Sequence, residues 1–174
     1  MNGLTVGSVG LAIPRKGIDT FLELAQKFPK NQFIWFGAIY SSVIAKPLPK
    51  DLPKNVTFTG YVDDIVAAMN SLDVFIFPSY EENQGMAILE AGVLGLPLLV
   101  RDLPVYKGWL RDGENCLKAK DDAQFAAHLA MLLENDKRRE ELGKAAAHLA
   151  VTESTEAIGQ KVEGYYQKLI SKVS

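Results

Sequence analysis

Six short runs rich in β-branched and aromatic residues alternate with segments of helical period, and several of the runs are apolar almost throughout. The alternation implies parallel strands joined by crossover helices, and the continuous apolarity implies a sheet covered on both faces. The tail beyond residue 120 keeps helical period with no further strand signal. Together these observations predict an α/β protein: a Rossmann-like three-layer α/β/α sandwich with a central parallel sheet of about six strands, plus C-terminal helices. At 174 residues the chain fits one domain with a core that needs no staples.

The strands are predicted at Leu4–Val9, Gln32–Phe36 (QFIWF), Val56–Thr59 (VTFT), Asp73–Phe77 (DVFIF), Leu98–Arg101 and Cys116–Ala119. A first helix, starting near Lys16, carries the stripe Ile18, Phe21, Leu22 and Ala25. Asp63 or Asp64 caps a second, with Ile65, Ala68, Met69 and Leu72 on one face. Met86–Leu94 is a third, ended by Gly95 and Pro97. Asp121 to Val151 reads as two consecutive helices, striped by Phe125, Leu129, Leu132 and Leu133 and then by Leu142 and Leu149. A last helix follows Glu153, with Ile158, Val162, Tyr165, Tyr166, Leu169, Ile170 and Val173 at helical spacing. Lys46–Lys54 (KPLPKDLPK), with three prolines, is a loop. Right-handed crossovers align the C-terminal ends of the strands along one edge, where open α/β sheets take their ligands.

Composition narrows the function. Lys plus Arg number 19 and Asp plus Glu 21, so no basic excess points to nucleic acid. A single cysteine excludes a disulfide framework and a cysteine-rich zinc site, and fits a reducing cytoplasm. Ala91–Val100, the longest uncharged stretch near the middle, is too short to span a bilayer, and the N-terminus has no signal-peptide pattern. His128 and His148 are lone helix residues, and Trp35 reads as core or rim.

The informative stretch is Phe77–Gly95, FPSYEENQGMAILEAGVLG. It leaves a buried strand and opens a helix at Gly85. Free N–H groups and the helix dipole favour phosphate or sugar oxygens at such an opening. Glu82 falls in the loop and Glu90 in the helix, which puts the two carboxylates about 10 Å apart. Carboxylates only accept hydrogen bonds and vicinal hydroxyls offer paired donors, so one acid can hold a hexose and the other a ribose diol. As solvated surface residues both would be unremarkable, but Glu90 sits among Ala87, Ile88, Leu89, Ala91 and Gly92, where an unpartnered charge is costly. A lysine at the start of a helix faces the unfavourable end of the dipole, so Lys16 implies an anionic partner.

At these residues the sequence resembles the retaining glycosyltransferases of family 4. Glu82 through Glu90 matches their E-x7-E signature, and Pro78-Ser79, Gly85, Leu89-Glu90-Ala91 and Gly95-x-Pro97 fall in the same order. Lys16-Gly17 is similar to their diphosphate-binding Lys-Gly, Val56-x-Phe58-x-Gly60 to the third-strand segment beside the nucleobase, and Asp112-Gly113-x-Asn115 to a late turn. The resemblance covers nearly the whole chain and implies a single domain over residues 1–174, the C-terminal donor-binding half of the two-domain GT-B fold. The N-terminal acceptor domain, which the final helix crosses back onto in this family, would then lie outside the chain.

The resemblance implies site roles. Glu82 contacts the donor hexose, and Asn83 with the backbone of Gln84, Gly85, Met86 and Ala87 faces sugar hydroxyls or phosphate. Glu90 binds the ribose with Leu89 packed nearby, Lys16 and Arg15 face the diphosphate, and Gly60 and Tyr61 lie near the base. The donor is a UDP-sugar, no metal or other cofactor is expected, and the full enzyme is cytoplasmic with possible peripheral association at the inner face of the membrane. The variant Glu81-Glu82-Asn83-Gln84-Gly85 resembles bacterial synthases that put glucose or galactose on diacylglycerol or glycosyl-diacylglycerol. Three positions depart from the family pattern: Leu11 replaces an Arg, Asn83-Gln84-Gly85 replaces Gly-Phe-Gly, and Cys116 replaces a Gly.

Two other functions compete. A dinucleotide-dependent oxidoreductase would use Gly7-x-x-Gly10, but the full G-x-G-x-x-G run is missing and the second strand ends Gly37-Ala38 without a ribose-binding acid. A catalytically silent scaffold would keep the fold and lose the chemistry, as Leu11 suggests. A Walker A loop is absent.

Overall fold

The structure is a computed structural model that describes residues 3–39, 48 and 51–171. Lys46, Pro47, Pro49 and Lys50 of the proline loop, and Lys172 and Val173 of the tail, lie outside the described residues. Six strands form one sheet: β1 Thr5–Val9, β2 Gln32–Phe36, β3 Val56–Gly60, β4 Val74–Phe77, β5 Leu98–Arg101 and β6 Leu117–Ala119. Their order is β3-β2-β1-β4-β5-β6 and every pairing is parallel. The helices are α1 Ile18–Lys27, α2 Ile65–Met69, α3 Met86–Val93, α4 Asp122–Glu134, α5 Asp136–Thr152 and α6 Thr155–Ile170.

The apolar runs are explained by two-sided burial. Val74 and Ile76 of β4 pack with Phe21 and Leu24 of α1 and Phe125 and Leu129 of α4. Phe75 and Phe77, pointing the other way, pack with Met69 of α2, Ile88 of α3 and Ala146 of α5. Trp35 is fully buried, edge-on to Phe21 at 5.1 Å between ring centroids, and its indole N–H donates to the Gly10 carbonyl at 2.7 Å. α3 and α5 approach through small residues, since a Cβ on Gly92 would stand 3.0 Å from the Ala146 carbonyl.

Caps set most helix boundaries. The carboxylate of Asp64 accepts from the Ala67 amide, Asp121 from Gln124, Asn135 from Arg138 and Ser154 from Ala157. Two expectations are corrected. The first helix does not run from Lys16: Pro14–Lys16 is a separate 3-10 turn, closed by Gly17 at φ 74°, and α1 begins at Ile18. A left-handed residue cannot continue a helix, so Gly17 divides the two. Leu72 is not on α2, which ends at Met69; it is buried instead over β1, where a Cβ on Gly7 would meet its side chain at 2.4 Å. α6 has no buried residue, and Tyr165, Tyr166, Leu169 and Ile170 are all exposed.

Candidate functional site

β1 and β4 are neighbours at the centre of the sheet, and from them the strand order runs outward in opposite directions. Such a switch point opens a crevice beyond the strand C-termini, because the two chains depart to opposite faces. Lys16 lies on the turn after β1 and Glu82 on the loop after β4.

The two segments are pinned together. A Cβ on Gly17 would stand 2.2 Å from the Pro78 carbonyl oxygen, so this backbone approach admits only glycine, which also supplies the positive φ. The Tyr80 amide donates to the Arg15 carbonyl at 2.9 Å, and Arg15 Nη1 donates to the Glu81 carbonyl at 2.9 Å. Lys16 Nζ then meets Glu82 Oε1 at 2.5 Å and sits 5.4 Å from the centroid of the Phe77 ring. The side chains are only 16% and 8% exposed, so the pair is shielded from water. An ammonium has three donors, and one held by Glu82 leaves two for another anion. The anionic partner expected for Lys16 thus includes an acid of the same chain.

The Glu82 loop runs into α3 through Gly85, buried and left-handed at φ 78°. No side chain caps this helix. The amides of Met86 and Ala87 have no partner among the described residues, so the helix presents free donors beside the ion pair. Asn83, Gln84 and Met86 are exposed, and Ala87, Leu89 and Glu90 half-buried. Glu90 makes no hydrogen bond or ion pair among the described residues, which leaves both oxygens free to accept. Arg15, Lys16, Glu82 and Gly85 are therefore drawn into one place. Gly60 closes β3, the outermost strand on this side and two strands from β1, and Tyr61 follows it, 80% exposed. Leu11 is exposed on the segment between β1 and the turn.

Sequence reasoning missed two residues that support this loop. Tyr106, on a 3-10 turn after β5, is fully buried, and its hydroxyl would stand 3.3 Å from a Cβ built on Gly85. That hydroxyl has no hydrogen-bond partner among the described residues, and burial, reinforced by the negative charge of Glu82, pushes its pKa well up. Arg101 ends β5 and is buried, with its guanidinium under the start of the Glu82 loop. Its signal was available: a charge closing an apolar strand, the same cue that singled out Glu90.

Other candidates take structural places. Cys116 is buried, and burial pushes its thiol up to about 12, which makes it a packed residue rather than a nucleophile. His128 is half-buried on α4 and His148 exposed on α5. Among the described residues, no group of three or more His, Cys, Asp or Glu stands close enough together to hold a metal ion. No described helix is long and apolar enough to cross a membrane.

Fold and site define a doubly wound α/β domain with its polar machinery at the central switch point. The chain belongs to the group 1 glycosyltransferase family: residues 2–149 match the family described as Glycosyl transferases group 1. It is 34% identical over 174 residues to the processive diacylglycerol alpha-glucosyltransferase of Acholeplasma laidlawii, covering 97% of this chain and 52% of that protein. It is 32% identical to the alpha-galactosylglucosyldiacylglycerol synthase of Streptococcus pneumoniae over 72% of this chain and 36% of that protein. The chain thus spans about half or less of these relatives' length. Among solved structures, HepE of Anabaena in complex with UDP and glucose shares the fold at a TM-score of 0.82 and 19% identity, over 96% of this chain and 49% of that one.

Proposed function

We propose that this chain is the donor-binding half of a retaining hexosyltransferase, which takes glucose or galactose from a UDP-sugar and passes it to a glycolipid acceptor such as diacylglycerol or a glycosyl-diacylglycerol. The observation that carries the reading is the shielded Lys16–Glu82 pair beside the uncapped start of α3, at the switch point of the sheet. The two lipid glycosyltransferase relatives support the acceptor class, and HepE, with UDP and glucose bound on the same fold, supports the donor class.

In this reading Glu82, oriented by Lys16, accepts hydrogen bonds from the hexose hydroxyls. Glu90, one helical turn into α3, accepts from the ribose diol. Negative charge grows on the diphosphate as the bond from the sugar to the phosphate oxygen breaks. The two remaining N–H groups of Lys16 and the amides of Met86 and Ala87 would meet that charge, and donors held in place by the fold would need little reorganisation when it forms. Arg15, with one guanidinium nitrogen on the Glu81 carbonyl, keeps its remaining donors for the same phosphates. No metal enters this scheme. The attacking hydroxyl is delivered by an acceptor domain paired with this one. The exposed apolar face of α6 is the surface that would dock there. The assembled enzyme would work in the cytoplasm at the inner face of the membrane.

Isothermal titration of the folded chain with UDP, UDP-glucose, UDP-galactose, GDP and NAD tests the donor class. Binding of UDP and at least one UDP-hexose, with NAD ignored, is the expected result. A folded chain that ignores every uridine ligand, or one that takes NAD instead, contradicts it. A silent scaffold is favoured by one observation, the exposed Leu11 where the family carries an Arg. Turnover by an enzyme reconstituted with the acceptor domain separates the two readings: loss of turnover in Glu82→Gln and in Glu90→Gln supports a catalytic donor half, and turnover unchanged in both supports a scaffold whose carboxylates take no part in the chemistry.

A further inference from the structure

The Glu82 loop is held from beneath by a side chain that has no place in the donor site itself. Arg101 is the last residue of β5 and is 7% exposed. Its Nε donates to the Pro78 carbonyl at 2.9 Å, and its Nη2 donates to Thr20 Oγ1 at 2.9 Å and to Asp122 Oδ1 at 3.0 Å. The guanidinium carbon lies 4.2 Å from the centroid of the Tyr80 ring and 5.1 Å from that of Phe125. Pro78 follows the last residue of β4, where its carbonyl leaves the strand ladder, and it is the same carbonyl against which Gly17 is pressed. Tyr80, whose ring covers the guanidinium, is the residue whose amide bonds to Arg15. One side chain thus fixes both ends of the Pro78–Tyr80 step that delivers Glu82 to Lys16.

Stability alone is a weak reason for this arrangement. The carboxylate of Asp122 is partly exposed, and a part-buried ion pair that costs the arginine its hydration is often no more stabilising than apolar residues of the same volume. A planar fork that bonds a backbone carbonyl through Nε, a carboxylate through Nη2, and lies against two aromatic rings is a device for setting position, and lysine cannot copy it. We infer that Arg101 is a positioning residue of the donor site: by holding the Pro78 carbonyl and the Tyr80 ring, it fixes the Glu82 loop against the Lys16 turn. The inference rests on the donor reading for its consequence, but the clamp itself can be measured without any ligand.

The experiment uses the whole chain and four proteins: wild type, Arg101→Met, Arg101→Lys and Asp122→Asn. Hydrogen exchange is read at the Tyr80 amide, bonded to Arg15, against the Phe75 amide of β4, bonded to Pro97. UDP-glucose affinity and the melting temperature are measured on the same samples. Arg101→Lys keeps a cation for Asp122 but loses the Nε donor to Pro78. Both Arg101 variants should speed exchange at Tyr80 relative to Phe75 by about tenfold or more. Both should weaken UDP-glucose by about tenfold. Asp122→Asn should lower the melting temperature and leave both readouts near wild type. Unchanged relative exchange at Tyr80 in Arg101→Met overturns the clamp. Full rescue by Arg101→Lys overturns it as well, because the ion pair would then be all that matters. Faster exchange with unchanged affinity overturns its role in the donor site. A wild-type chain that ignores UDP-glucose overturns the donor reading, and the Tyr80-to-Phe75 ratio still decides whether Arg101 holds the loop.

Discussion

The turn after β1 and the helix α6 both announce themselves in the sequence by pattern, and they end in opposite circumstances. Around Lys16 every constraint is met within the chain: Gly17 lies against Pro78, Tyr80 bonds Arg15, and the ammonium finds Glu82. Along α6 none of the apolar side chains is buried, although Ile158, Val162, Tyr165 and Leu169 fall on a helical stripe as regular as that of α1. Periodicity states which face of a helix favours burial. It does not state what covers that face, and here the first stripe is covered by the sheet while the last looks outward.

That contrast should show first in substitutions that break the tight region. Gly17→Ala demands a left-handed non-glycine residue and a β-carbon inside the Pro78 carbonyl. It should cost on the order of 4 kcal/mol in urea unfolding, or prevent folding. Lys16→Met keeps the stem and removes the ammonium, which leaves the Glu82 carboxylate buried without its cation. A loss of about 3 kcal/mol is expected, recovered in large part by pairing the change with Glu82→Gln in a double-mutant cycle.

A pH effect should follow at the base of the loop. Burial opposes ionisation of Asp122, but the hydrogen bonds from Thr20 and Arg101, with the charge of Arg101, outweigh it and hold the carboxyl below the usual range. A depressed acid stabilises the fold above its ordinary pKa of about 3.9 and loses that contribution as pH falls through the lower folded value. Melting curves taken from pH 6 downward should therefore show an acid-side decline below about pH 4 that is smaller in Asp122→Asn. Tyr106→Phe, which removes a buried hydroxyl with no partner among the described residues, should be neutral or raise stability by up to about 1 kcal/mol. Smallest of all, Val162→Asp on the exposed stripe of α6 should change the stability of this chain by no more than about 0.5 kcal/mol. A large loss there would mean that α6 is already covered, and the contrast would fail.

Much of this is legible in local pattern. The six strands, an aspartate cap at Asp63 or Asp64 that falls to Asp64, and the Glu82 loop opening α3 at Gly85 all follow from residues close in sequence. What escaped was tertiary. The break at Gly17 depends on a backbone contact with Pro78, which is far away in the chain. Leu72 is placed by the gap that Gly7 leaves in β1, not by the period of α2. Arg101 and Tyr106 act through distant partners, Pro78 and Gly85, that no spacing rule connects to them. Glu90 was singled out because a charge in an apolar helix calls for a partner, and its oxygens remain free to take one.

The location of the proposed donor site can be read directly by amide chemical-shift mapping of the isotope-labelled chain during titration with UDP-glucose. The account predicts that the largest perturbations fall on Arg15, Lys16 and Gly17 and on Glu82 through Glu90, with α6 silent. Saturable perturbations confined to α6 or to the N-terminal edge of the sheet, with the Lys16 turn and the start of α3 unmoved, would contradict it.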